Sequence, residues 1–408
     1  MKLLSSNNRI FYGWVVVAIA FGVSCFGFGI ANTFSVFANS LQHEFGASRG
    51  SIAFVFSLAE FLFFGSGIIS GPLADRWGAR CLTCVGMILC GGGILLVSMA
   101  RSLTEVYLAY GLGVGVGAGC AYVPILAAVQ RWFRRQRGFA SGLAVTGSGV
   151  GTFFMPLLAS HLIQTGGWRE AYLILGIFVG VMGVGMSLFI VNDPQDLGLG
   201  PDGDPLLKNA TAGIQSGVAV GQAIRTVQFA GLYGASLLSS LGTFIPFIHL
   251  VPYALEHHLS QTQAASLVSI IGIASISGRF LFGRLADQIG RKYFFMAMFL
   301  GMAGSMAIWA AFTNFGMLII FAALFGIFFG GWVAISPSLL MDCFGGKNLS
   351  SILGVLYTAT AIGASVGPGL AGFAFDLNHS YTLPILASIG TYIIAALLIA
   401  FTVKPASY

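Results

Sequence analysis

GPLADRWGAR, residues 71–80, is a charged stretch in an otherwise apolar chain, and FGRLADQIGRK, residues 282–292, repeats its pattern. Residues of the first stretch recur 212 positions later in the second, among them Gly71 as Gly283, Asp75 as Asp287 and Gly78 as Gly290. The same offset relates three further pairs: Gly142 and Gly354, Gly151 and Gly363, and Pro156 and Pro368. A constant offset over so much of the chain indicates two halves with one structural plan.

The composition places the chain in a bilayer. Of its 408 residues, 57% are hydrophobic and only 8% are charged, which excludes an ordinary soluble protein. A membrane-spanning helix needs about 20 mainly apolar residues, and unbroken runs of this length predict an all-α fold rather than a barrel of short alternating strands. Twelve such runs occur: 11–37, 51–73, 81–100, 104–130, 138–164, 169–191, 226–255, 262–283, 293–313, 315–341, 349–375 and 381–402.

The basic residues predict the orientation. With residues 1–10 inside, the inner segments hold fifteen lysines and arginines and the outer ones three, so both termini are expected in the cytoplasm. The net charge of +6 then reflects topology and not nucleic-acid binding. The apolar run after the basic start continues to about Phe37 without a cleavage site, which predicts a retained first helix instead of a signal peptide.

A polar segment separates the two halves. Residues 192–217 are rich in Gly, Pro and Asp and form the only long non-hydrophobic stretch. We therefore expect an N-terminal six-helix bundle at 1–191, a cytoplasmic linker at 192–225 and a C-terminal six-helix bundle at 226–408. Parallel halves with a substrate site between them near the bilayer midplane are typical of secondary transporters.

Several motifs argue against other functions. GLGVGVGAG, residues 111–119, lies inside an apolar run, where Gly113, Gly117 and Ala121 predict a close helix-packing face and not a nucleotide loop. No HExxH or P-loop motif occurs, so an enzyme is not expected and transport must use gradients. Cys81 and Cys84 lack a second pair for zinc. No metal and no cofactor are expected.

Arg279 is the ionisable residue that most needs an explanation. It lies within the eighth predicted helix, where a charge costs about 2.5–3.5 kcal/mol on insertion scales. Its planar, permanently charged guanidinium fits a carboxylate with two parallel hydrogen bonds. The sequence thus favours an anion-binding residue over a structural arginine that reaches the cytoplasm or pairs with a helix-end acid. Its counterpart 212 residues earlier is Gly67.

These features carry a family resemblance. GPLADRWGAR is similar to the loop signature of the major facilitator superfamily, whose members have twelve spans. YGW at 12–14, QRWFRRQRGFASGLAVTGSGVG at 130–151 and the arginine in helix 8 resemble the branch of oxalate/formate antiporters and monocarboxylate transporters. The resemblance implies that Arg279 holds the substrate carboxylate. It also implies that Asp75 and Asp287 latch the two bundles at the cytoplasmic side.

The chain departs from this branch at two places. The oxalate exchanger has a lysine in helix 11, where LYTATAIG here contains Thr360; one buried cation favours a monocarboxylate, since a dicarboxylate would leave one charge unpaired. Animal relatives place an acid one turn before the arginine and a lysine in helix 1, where this chain has Ser275 and, approximately, Asn39. A coupled proton must then be carried by Glu60, by His249 or by the substrate. Either residue could instead be a packed, hydrogen-bonded core group.

Further residues complete the predicted sites. Tyr122 and Tyr357 are the strongest additional candidates, because the resemblance implies aromatic site residues in helices 4 and 11. The full expected substrate site is Arg279, Tyr122, Tyr357, Asn32, His249, Trp332 and Phe28. The expected gating residues are Asp75, Arg76, Arg80, Asp287 and Arg291.

The sequence therefore predicts a monomeric, multi-pass carrier of the plasma membrane, in a prokaryote the inner membrane, that moves a lactate- or pyruvate-like monocarboxylate with a proton. Its partners are this anion, the proton and the lipid bilayer, and no nucleic acid. Anion exchange of the oxalate or formate type without proton coupling is the first alternative. Efflux of drugs or cations is disfavoured by the buried arginine, and a non-transporting membrane sensor by the lack of a signalling domain.

Overall fold

The computed structural model describes residues 11–47, 49–205 and 217–403, and these are almost entirely helical. In the first half, α1 is Tyr12–Phe45, α2 comprises Arg49–Gly65 and Gly67–Trp77, α3 is Ala79–Ser98, α4 is Leu103–Trp132, and α5 and α6 are residues 137–166 and 168–187 of the helix Arg137–Ser187. In the second half, α7 comprises Val227–Thr243 and Ile245–Glu256, α8 is Gln261–Ile289, α9 is Arg291–Ala311, α10 is Phe315–Phe344, α11 is Leu349–Asn378 and α12 is Thr382–Thr402. Short helical turns, Pro194–Leu197, Pro201–Gly203 and Val220–Ala223, lie between the halves.

The twelve predicted spans are all present in the described residues. Ten helices are individually long and apolar enough to cross a bilayer, and the two segments of α2, bent by 41°, add an eleventh. The twelfth arises at Gly167, whose φ of 80° and ψ of 171° interrupt the longest helix and separate α5 from α6. Glycine adopts this backbone conformation without a Cβ clash. The predicted all-α, twelve-span fold in two related halves is confirmed.

α4 differs from the simple helix that the sequence predicts. Its residues Tyr107–Val116 form a π-helix, a wider turn that pattern analysis at a 3.6-residue period does not reveal. The small-residue face packs as expected: Gly113 lies against Gly93 of α3, and a Cβ on Gly117 would come within 2.7 Å of Gly86 O. Close approach of two backbones explains why glycines occupy this face.

The internal repeat is visible in how the halves meet. Gly67 of α2 packs against Gly354 of α11, and a Cβ on Gly67 would lie 2.9 Å from Gly354 Cα. At the corresponding crossing of α5 with α8, Gly142 packs against the carbonyl oxygen of Arg279. Both crossings join one helix from each half, and their residues differ by 212. The bundle boundaries at 1–191, 192–225 and 226–408 remain a prediction, and residues 1–10, 206–216 and 404–408 lie outside the described ranges.

Candidate functional site

Arg279 is buried at the crossing of α8 with α5, with only 6% of the residue exposed. Its Nη1 donates hydrogen bonds to Val145 O at 3.1 Å and to Ser148 Oγ at 2.6 Å. Its Nε has no hydrogen-bond partner, and the ion pairs found among the described residues do not include it. A guanidinium with one side tethered to neutral acceptors and a remaining free N–H can still bind an anion.

Aromatic residues from both halves lie beside Arg279. Tyr122 of α4 is within electrostatic range of its guanidinium, and the Tyr122 ring stacks on Tyr357 of α11 at 6.1 Å between centroids and 22° between planes. Phe28 of α1 packs edge-on against Tyr122 at 5.1 Å. The structure therefore brings four of the predicted substrate residues into one group between the halves.

Asn32 joins this group through α5. Its Nδ2 donates to Thr152 Oγ1 at 3.3 Å and to Phe28 O at 2.9 Å. Thr152 lies one helical turn beyond Ser148, the residue that binds Arg279, so both contacts fall on the same face of α5. Phe63 and Phe64, which the sequence analysis did not single out, complete the aromatic surroundings: Phe63 contacts Phe28 and Phe64 contacts Tyr357.

Two predicted substrate residues have their recorded contacts with residues outside this group. Trp332 of α10 is buried against Phe299 and Phe329. His249 of α7 lies near α11 and α12, where Nε2 is 3.0 Å from Pro368 O and Nδ1 is 3.4 Å from Tyr381 Oη. Because a carbonyl only accepts, Nε2 carries the proton in this arrangement and Nδ1 accepts from the tyrosine. These contacts fit the alternative of a hydrogen-bonded core histidine, and its role in transport stays a prediction.

Asp75 connects the two halves at the end that the charge pattern predicts to be cytoplasmic. Its carboxylate accepts hydrogen bonds from Ser350 N at 3.3 Å and from Ser351 N and Oγ at 2.9 and 2.5 Å, at the start of α11. Arg131 of α4 donates to the same carboxylate at 3.2 Å. The start of a helix presents unpaired N–H groups and a positive dipole end, which bind a carboxylate well.

Asp287 makes the equivalent connection in the opposite direction. It accepts hydrogen bonds from Gly138 N at 2.9 Å and Phe139 N at 3.0 Å, at the start of α5. Gly138 and Phe139 precede Ser350 and Ser351 by 212 residues, the same offset that relates the two aspartates. Both aspartates lie in the last turns of α2 and α8 and not in the predicted loops, so each repeated motif binds, from the end of its helix, the first turn of a helix in the other half.

A charged cluster surrounds Asp287. Arg291 donates to Asp287 at 2.8 Å and to both oxygens of Asp342 at 2.7 and 2.6 Å, and Arg137 of the other half also pairs with Asp342 at 3.0 Å. Arg291 Nη2 also donates a hydrogen bond to Arg134 O across the two halves. Asp342 escaped the sequence analysis because its counterpart in the repeat is Gln130.

The remaining two gating candidates make no hydrogen bond or ion pair across the halves in the described structure. Arg80 donates through Nε to Ile190 O at 2.6 Å and through its backbone N to Asn192, which ties α3 to the end of α6. Arg76 is exposed. Their gating roles stay predictions. Within the described part of the chain, no three His, Cys, Asp or Glu side chains are placed to hold a metal ion.

Comparisons with known proteins agree with this architecture. The sequence model of the Major Facilitator Superfamily matches residues 19–248 and 232–407. Monocarboxylate transporter 12-B of Danio rerio is 29% identical over 97% of this chain and 88% of its own length, and monocarboxylate transporter 3 of Mus musculus is 30% identical over 91% and 75%. The solved structure of the proton:xylose symporter XylE has a TM-score of 0.78 at 17% identity, covering 97% of this chain and 96% of that one, which supports the fold alone.

These matches are transporters and not enzymes, as the sequence predicts. They extend over nearly the whole chain, including both repeated loops and the helix that carries Arg279. A multi-pass membrane protein with two related halves and a charged residue between them is also what the structure contains. The chain belongs to the major facilitator superfamily, as a transporter related to the monocarboxylate transporters.

Proposed function

We propose that this transporter carries a small monocarboxylate of the lactate or pyruvate type, together with a proton, by alternating access. The observation that supports this most strongly is Arg279, a buried cation between the halves without a carboxylate partner among the described residues. A buried charge without a partner is costly, and a site of this kind is stabilised when its ligand supplies the opposite charge.

The surroundings of Arg279 favour one carboxylate and a short apolar tail. Ser148 already holds one guanidinium nitrogen in place, so the orientation of the remaining N–H groups is fixed before an anion arrives. The Tyr122 and Tyr357 rings offer apolar faces and hydroxyl groups next to this position. Thr360 of α11, where an oxalate exchanger has lysine, is buried and uncharged. A second carboxylate would therefore be left unpaired.

The repeated motifs around Asp75 and Asp287 control the alternating motion in this proposal. The bundles 1–191 and 226–408, joined by the linker 192–225, rock about the site near Arg279. Asp75 and Asp287 hold the predicted cytoplasmic side closed through the first turns of α11 and α5, and opening that side must break these bonds. We further propose that both termini are cytoplasmic, that the carrier acts as a monomer, and that a prokaryotic inner membrane is its location, in keeping with the basic inner segments.

Uptake into proteoliposomes tests the substrate proposal. The wild type should accumulate labelled lactate or pyruvate when an inward proton gradient is imposed. It should accumulate oxalate more weakly or not at all. Arg279→Ala should abolish this uptake, whereas Arg135→Ala should not, because the Arg135 side chain is 71% exposed and pairs only with Asp204 at the surface. Normal monocarboxylate uptake by Arg279→Ala would refute the proposed site. Counterflow that requires internal substrate and ignores the pH gradient would favour anion exchange instead.

A further inference from the structure

Glu60 lies in the first segment of α2, one helical turn before Phe63 and Phe64. Residues three and four positions apart share a helix face. Phe63 contacts Tyr122 at 5.7 Å and Phe64 contacts Tyr357 at 6.1 Å, so this face borders the aromatic group beside Arg279. Glu60 is half-buried. An acidic side chain therefore lies one turn from the candidate substrate site, on the side toward the start of α2.

Glu60 has no ion-pair partner in the described structure: it takes part in none of the ion pairs found there. A carboxylate at this depth without a cation or several donors is unfavourable. The titratable groups that the neighbouring helices present are Tyr110 of α4 with Tyr172 of α6 behind it, Tyr357 of α11, and His249 of α7, which is turned to Pro368 and Tyr381.

Tyr110 favours the protonated form of Glu60. It is within electrostatic range of Glu60, and its hydroxyl donates to the carbonyl oxygens of Ile30 and Ala31 on α1 at 3.0 and 3.1 Å. Since its single hydrogen is directed to these carbonyls, the hydroxyl offers only lone pairs to other groups. A protonated carboxyl can donate toward such lone pairs, whereas a carboxylate is repelled. The two carbonyls belong to the same part of α1 as Asn32.

We propose that Glu60 carries the transported proton and that anion binding at Arg279 and protonation of Glu60 depend on each other; this rests on the proposed monocarboxylate function. The coupling follows from the summed charge of Arg279, Glu60 and the bound anion. The empty carrier holds Arg279 positive and Glu60 negative, and the fully loaded carrier holds Arg279 with its anion and a neutral Glu60. Both states are electrically balanced. A carrier with only the anion or only the proton has one uncompensated charge and closes less readily.

The pH dependence of binding and transport tests this coupling. In the wild type, the apparent Kd for lactate should rise about tenfold for each unit of increase in pH, over the range in which Glu60 is ionised in the empty carrier and takes up one proton for each anion bound. Glu60→Gln imitates the protonated acid. It should bind lactate with a Kd that is independent of pH between about pH 6 and pH 8, retain lactate counterflow, and lose accumulation driven by a pH gradient.

Two variants serve as controls. Glu60→Asp keeps a titratable carboxyl and should retain both the pH dependence and the accumulation, while Glu105→Gln removes an exposed acid at the start of α4 and should behave as the wild type. Proton-driven accumulation in Glu60→Gln at the wild-type level would overturn the assignment, and so would loss of counterflow in this variant. Wild-type protein that accumulates no monocarboxylate would instead refute the proposed function, so the two failures are distinguishable.

Discussion

Asp75→Asn should shift the protein away from the state in which its predicted cytoplasmic side is closed. Each carboxylate oxygen of Asp75 accepts two hydrogen bonds: Oδ1 from Ser350 N and Arg131 Nη2, and Oδ2 from Ser351 N and Oγ. Asparagine retains one oxygen and places an NH2 group where the other was. This group cannot accept, so whichever way the amide is turned at least the backbone N–H of Ser350 or of Ser351 loses its acceptor, and the bonds that remain lose the charge of the carboxylate.

The size of the effect follows from these lost bonds. Only 6% of the Asp75 side chain is exposed, and a hydrogen bond to a charged group contributes about 1.5–3 kcal/mol net. Loss of one such bond, together with the weakening of the others from charge-assisted to neutral, gives at least about 3 kcal/mol in favour of the closed side, and every 1.4 kcal/mol is a factor of ten. We therefore expect the ratio of closed to open protein to fall by about a hundredfold or more.

Pulsed EPR between spin labels on the two halves measures this shift. Trp77 at the end of α2 and Lys347 before α11 are both exposed and lie on opposite sides of the Asp75 contact, so labels placed there should move apart when the side opens. The distance distribution of Asp75→Asn should gain a long-distance population, and Asp287→Asn, its counterpart, should do the same. Identical distributions for the wild type and both variants would refute the latch.

Three further predictions follow from the same contacts. Gly142→Ala should slow transport strongly without loss of the fold, because the new Cβ would meet Arg279 O at the α5–α8 crossing; uptake together with size-exclusion chromatography checks this. Arg291→Ala should lower the free energy of unfolding by about 3–5 kcal/mol, since the substitution leaves Asp287 and Asp342 buried without this partner. The melting temperature should fall, and an unchanged melting temperature would contradict this prediction. Tyr357→Phe should raise KM for lactate less than tenfold with kcat nearly unchanged, as loss of one neutral hydrogen bond costs about 0.5–1.5 kcal/mol, and a larger fall in kcat would show another role.

The sequence predicted the parts of this structure that depend on pattern. Apolar runs located all twelve helices, the 212-residue offset paired Asp75 with Asp287, and the family resemblance implied that these two residues join the bundles. It could also have predicted Ser350 and Ser351 as partners, had the start of α5 been compared with the start of α11. Arg279 stood out because a charge inside an apolar run is costly and because its counterpart is Gly67.

Other features depend on three-dimensional packing and have no signal in a single sequence. The π-helical part of α4 and the role of Asp342 arise from contacts between helices far apart in the chain. Trp332 and His249 were selected by residue type and depth, but the helix face on which each lies directs Trp332 toward Phe299 and His249 toward Pro368. Ser148 was hidden among small residues, which on a helix are as often packing groups as ligands.

Binding of lactate to the purified protein is the most direct test of the central claim that Arg279 holds a single carboxylate. Isothermal titration should show that the wild type binds lactate and does not bind its uncharged amide, which serves as the matched ligand. Arg279→Gln should lose the preference for the anion, because the charge-assisted bonds contribute about 1.5–3 kcal/mol each. An unchanged lactate affinity in Arg279→Gln would contradict the account.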